Sequence, residues 1–211
     1  MGTSQSSIIK IAVTGHRFLT INDSLTHAIR SVLEQLIQEH KGMEIQLLSP
    51  LAEGSDQLVA EIASSYSGVQ LIVPLPLPEE EYLRDFASNL GQETFHELMQ
   101  RANRVLTLSP QIDHPTAYEY LGKYLLEQCG VLIAIWNGDY VMKKGGTGEV
   151  VREALGMGKS IYWIYAWNGN EAGESALRLQ KNPGDIEVLG SPEVTPHPPT
   201  KHNLQSQGRQ P

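Results

Sequence analysis

A short apolar run, a polar turn and an amphipathic stretch follow one another again and again along this chain. The runs are Ile8 to Val13 (IIKIAV), Glu44 to Leu48, Val69 to Val73, Arg104 to Leu108, Val131 to Trp136 (VLIAIW) and Ser160 to Ala166. Each is short, and several are rich in β-branched residues, as strands are. Between them lie segments with helical periodicity. Leu25, Ile29, Val32, Leu33, Leu36 and Ile37 form one helical stripe within residues 22–40, with Asp23 or Ser24 as the expected N-cap. Further helices are expected near 56–65, 79–89, 93–102, 116–128 and 149–157. Strands joined through helices pair in parallel, because a parallel pair needs a long crossover. Runs that are apolar at every position, such as VLIAIW, suit strands covered on both faces.

The expected fold is therefore α/β: a Rossmann-like three-layer sandwich with a mostly parallel sheet of about six strands. The chain has 211 residues, enough for one such domain with a tail. The chain divides into an N-terminal tail at 1–7, a Rossmann-like nucleotide-binding domain at 8–167 and a tail at 168–211, rich in Gly, Pro and polar residues, that is expected to be flexible. In that tail, Ile186 to Leu189 carries a weak edge-strand signal. One cysteine, Cys129, excludes an internal disulfide. No apolar stretch approaches the roughly 18 residues of a membrane span, and Met1 to Ser7 lacks the features of a secretory signal. A cytoplasmic location is the resulting expectation. With 16 basic and 24 acidic residues the net charge is −8, which argues against a broad nucleic-acid interface. A single small phosphate remains compatible with this charge, held by backbone N–H groups and an arginine.

The chemistry is expected in the turns that follow the strands, because ligands of open parallel sheets bind outside the strands' carboxyl ends. Gly145-Gly146-Thr147-Gly148-Glu149 enters a helix after the fifth strand, and its glycines permit a close approach of backbone to phosphate. Thr14-Gly15-His16-Arg17 follows the first strand. There Arg17 offers a bidentate contact to phosphate, and His16 offers a donor or a proton-transfer group. Ser49 to Asp56 (SPLAEGSD) follows the second strand, with Ser49, Gly54, Ser55 and Asp56 expected to line the sugar side of a ligand. Glu81 and Asp85 are spaced four apart, so on a continuous helix they would share a face and could bind a ribose diol. Glu81, Glu149 and Glu153 are the candidate catalytic carboxylates. No metal-ligand spacing appears, no cofactor is expected, and the GxGxxG and P-loop patterns are absent.

These turns together resemble the SLOG superfamily. It includes the "Lonely guy" phosphoribohydrolases, the lysine-decarboxylase-like proteins and the DNA-processing protein A fold. The resemblance rests on VTGHR at 13–17, SPLAEGSD at 49–56, PLPEEEYLRDF at 76–86 and GGTGEVVREA at 145–154. It spans about residues 8–166 and is nearest to the sensor-type members. It implies binding or sensing of a nucleotide-type small molecule, and it implies a homo-oligomer. The phosphoribohydrolase pattern PGGxGTxxE is altered here: Lys144 stands at the proline, Glu149 at the threonine and Arg152 at the glutamate. Three readings follow: a nucleotide-binding sensor, an N-glycosidic-bond hydrolase or transferase, and a DNA-processing-type adaptor.

Overall fold

The computed structural model describes residues 7–108, 113–139, 144–167 and 179–190. Seven strands form one sheet: β1 (Ile8–Gly15), β2 (Glu44–Leu48), β3 (Val69–Leu75), β4 (Arg104–Thr107), β5 (Val131–Trp136), β6 (Ser160–Tyr165) and β7 (Ile186–Leu189). Their order is β4-β3-β2-β1-β5-β6-β7. All neighbours are parallel except β6 and β7, which are antiparallel. The chain steps outward from β1 to β4, then returns to place β5 on the free side of β1. The strand order thus reverses between β1 and β5, where a ligand crevice is expected.

The helices are α1 (Asp23–Glu39), α2 (Ser55–Ala63), α3 (Glu79–Tyr82), α4 (Asn89–Arg101), α5 (His114–Gln128) and α6 (Thr147–Gly156). A 3-10 turn, Leu83–Asp85, follows α3. Alternate residues of each central strand enter different cores. Ile11, Val13, Ile133 and Ile135 pack with α1, α2 and α4 on one face. Ala12, Leu132, Ala134 and Trp136 pack with α5 and α6 on the other. This alternation explains why VLIAIW has no polar side, and each buried Val, Leu or Ile side chain contributes about 1.5–3 kcal/mol by leaving water.

Several expectations need correction. The weak edge-strand signal at Ile186 to Leu189 is a seventh strand, paired with β6. Helix α1 is capped by Asn22, whose Oδ1 accepts from the Leu25 amide at 2.9 Å, and not by Asp23 or Ser24. The segment 79–89 is not one helix. Phe86 adopts an extended backbone and drops its ring against Tyr82 at 5.3 Å and Phe95 at 5.5 Å. Aromatic burial outweighs helical continuation there, and Ser88 caps a new helix by accepting from Gly91. Helix α6 begins two residues earlier than expected, at Thr147.

Candidate functional site

The rim above β1 and β5 is built from two turns pressed together. Gly15 lies so close to Ser55 and the Ile135 carbonyl that a Cβ would overlap both. Gly54, at φ +88°, is equally close to the Arg17 and His16 carbonyls. Ser55 is fully buried. Its amide donates to His16 O at 3.0 Å, and its hydroxyl donates to the same oxygen at 2.9 Å. Ser49 is also fully buried and gives its hydroxyl to Asp56 O at 3.1 Å. Ser49, Gly54 and Ser55 are expected to line a ligand's sugar; in the structure the Ser49 and Ser55 hydroxyls donate to backbone carbonyls, and Gly54 packs against the Arg17 turn. Gly15 likewise serves the packing of one turn on the other.

His16 is also a structural group. Its Nε2 accepts the Asn137 amide N–H at 3.0 Å, and its own amide donates to Ile135 O. An amide can only donate, so Nε2 carries no proton and the ring is neutral. Burial lowers its pKa in agreement with this. His16 therefore fastens the end of β5 to the end of β1 and has no proton ready to transfer at Nε2.

Arg17 is different. It is only partly buried, and two partners hold it from below. Its guanidinium lies 5.1 Å from the Tyr118 ring centroid, and Nη1 donates to Asp85 O at 3.2 Å. Behind Arg17 is Asp56, which is 6% exposed. Burial pushes the Asp56 carboxyl up to about 7, against the opposing pull of Arg17 and of the Ala52 amide.

Tyr118 organises the neighbourhood. Its face carries Arg17, its hydroxyl donates to Asp85 Oδ2 at 2.5 Å, and a Cβ on Gly145 would overlap its Cβ. The same Asp85 oxygen lies 3.0 Å from His114 Nδ1, while His114 Nε2 lies 2.9 Å from Glu81 Oε1. Glu81 and Asp85 are thus joined through one imidazole, not by a shared helix face. The hydrogen bond to Glu81, and after it the one to Asp85, raises the His114 pKa.

The Gly145 turn sits beside this group. Gly145 has φ +69° and leads into α6, whose N-cap is Gly146. The amides of the first helical turn have no intrahelical acceptor. Glu149 already answers one nearby donor: its Oε2 accepts from the Gly145 amide at 2.6 Å, and Oε1 lies 3.9 Å from Arg152. The carboxylate is a resident anion at the helix entrance, where the macrodipole favours it. Glu153 lies one turn further on, within electrostatic range of Lys123. Glu119 of α5 pairs with Lys123 and Lys144 at 2.6 and 2.7 Å, and these partners hold it down at about 2.

No protein-family model matches this chain, and no curated protein matches it. Among solved structures, the chain is similar to TM1055, a structural-genomics target determined by X-ray crystallography. The identity is 15%, 72% of each chain is covered, and the TM-score is 0.43.

The structure therefore brings Arg17, Glu81, Asp85 and the Gly145–Glu149 turn together around Tyr118 and His114. It turns Gly15, His16, Ser49, Gly54 and Ser55 inward as supports. Tyr118 and His114 are not among the candidate site residues that the sequence offers, because their partners lie 29 to 33 residues away. The one local signal was Asp113-His114-Pro115, a capped helix start with proline in its first turn. Among the described residues, no group of three or more His, Cys, Asp or Glu side chains can hold a metal ion. No helix among them is long and apolar enough to cross a membrane.

Proposed function

We propose that this protein binds a nucleotide or nucleotide-derived small molecule at the crevice above β1 and β5. Arg17 and the first-turn amides of α6 take the phosphate, and Glu81 and Asp85 approach the sugar hydroxyls. The observation that carries this reading is the support of Arg17. A partly exposed guanidinium is pinned by the Tyr118 face and the Asp85 carbonyl at the carboxyl end of the strand beside the reversal of strand order. A cation fixed in that place binds an anion with little ordering cost.

The four motif turns support placing the chain in the SLOG superfamily, near its sensor-type members. The same resemblance supports a homo-oligomer. The geometry favours binding over cleavage of an N-glycosidic bond. Glu149 is engaged with Gly145, Glu81 with His114, and Glu153 lies within electrostatic range of Lys123. Hydrolysis needs a carboxylate free to meet the anomeric carbon or a water.

A thermal-shift panel of AMP, ADP, ATP, ADP-ribose, NAD and ribose 5-phosphate tests the reading, with chromatography of each mixture for released base. A ligand at 100 times its dissociation constant stabilises the fold by about 2.7 kcal/mol. Recovery of a stabilising ligand intact is the expected result. Released base would replace binding with catalysis, and no shift across the panel would refute the nucleotide assignment.

A further inference from the structure

The contact between α5 and the 3-10 turn after α3 is made by the Tyr118 hydroxyl and by one imidazole, that of His114. His114 stands at the first position of α5, and both ring nitrogens face carboxylate oxygens, Glu81 Oε1 at 2.9 Å and Asp85 Oδ2 at 3.0 Å. A carboxylate only accepts, so only the imidazolium can donate to both. Asp85 is shared: Oδ2 also accepts from Tyr118, and its main-chain oxygen accepts from Arg17. The proton on His114 thus fixes the turn whose carbonyl holds Arg17.

We infer that His114 is a positioning residue for the anion site, so that anion binding at Arg17 and protonation of His114 reinforce one another. This rests on the reading of Arg17 as the phosphate contact. The titratable and charged groups around His114 are Glu81 from α3, Asp85 from the 3-10 turn, the neutral Tyr118 hydroxyl on its own helix, and Arg17 on the Tyr118 ring. Asp113 caps the same helix by accepting from Thr116 at 3.1 Å, and it lies within electrostatic range of Lys144. Loss of the proton breaks one of the two carboxylate bonds and frees the turn to shift under Arg17. An anion held at Arg17 favours the ordered turn and therefore the protonated ring. Linkage makes the two effects equal in size. Asp56 also faces Arg17 and titrates near neutrality, so a bulk pH profile of affinity would mix two protons. Following the His114 ring itself separates them.

The test uses ring proton and carbon shifts of the full chain, titrated from pH 5 to 9 with sulfate or with chloride at equal ionic strength. Sulfate serves as the probe because it stays fully ionised throughout this range. The His114 signal is assigned by its loss in His114→Gln, and His96, on the exposed side of α4, is the internal control. The expected result is a rise of the His114 midpoint by about 0.7 pH unit in sulfate, a fivefold coupling. His96 should not move, and the effect should vanish in Arg17→Ala. Sulfate-induced amide shifts at Arg17 and Thr147 with an unmoved His114 midpoint would overturn the coupling and leave the anion site standing. Absence of those amide shifts would overturn both.

Discussion

Asp56 offers the sharpest quantitative prediction, because its carboxyl is buried beside the proposed anion contact. Its folded-state value lies at about 7, raised from 3.8 by burial. The folded form holds its proton more tightly than the unfolded chain does, so the sign is opposite to that of a salt-bridged aspartate. Stability from this group is full below pH 3.8, declines as pH rises, and is lost once pH passes 7. At about 1.4 kcal/mol for each pKa unit, the loss totals about 4 kcal/mol, of which roughly 2.5 falls between pH 5 and pH 8. Asp56→Asn keeps the shape and the acceptor for the Ala52 amide but cannot ionise. Urea unfolding of both proteins at pH 5, 6, 7 and 8 gives the difference in stability, and groups common to both cancel. The variant should gain on the wild type by about 2–3 kcal/mol from pH 5 to pH 8. A difference that is flat across that range would show that Asp56 is solvated or paired, and would refute its placement.

Other substitutions probe the remaining parts of the rim. Glu149→Gln keeps an acceptor for the Gly145 amide and removes the resident negative charge, so sulfate affinity measured by amide shifts should rise roughly three- to tenfold, by about 1 kcal/mol. Gly54→Ala forces a Cβ into the Arg17 carbonyl at φ +88°; it should cost about 3 kcal/mol or more in urea unfolding and should weaken sulfate binding as the Arg17 turn moves. Tyr82 is fully buried and its hydroxyl has no protein partner among the described residues. Tyr82→Phe should therefore leave the urea midpoint unchanged or raise stability by up to about 1 kcal/mol.

The layers of this fold were legible because strand and crossover helix write different periods into the sequence. VLIAIW and the 25–37 stripe announce a doubly covered strand and a one-sided helix, and both are present. The β7 edge was a faint signal because its four residues, IEVL, are mostly exposed and owe their pairing to β6. The division of 79–101 into α3, a 3-10 turn and α4 was hidden because it depends on Phe86 reaching Phe95, a tertiary contact. Of the candidate site, Arg17 follows the end of β1, and the Gly145 turn packs against Tyr118, the ring that carries Arg17. Gly15, Gly54, Ser49 and Ser55 look like a ligand cradle in one dimension, since small residues suit both phosphate contact and close packing of turns. Only the overlap of Gly15 with Ser55, and of Gly54 with Arg17, separates the two uses. His114 looked isolated because its carboxylates come from another crossover.

Calorimetric titration of the most stabilising nucleotide into the wild type and Arg17→Ala tests the central claim most directly. Loss of a charge-assisted contact of about 1.5–3 kcal/mol predicts affinity weakened roughly 10- to 100-fold, with the urea midpoint nearly unchanged. Equal affinity in a folded Arg17→Ala protein would contradict the account and move the phosphate away from the end of β1.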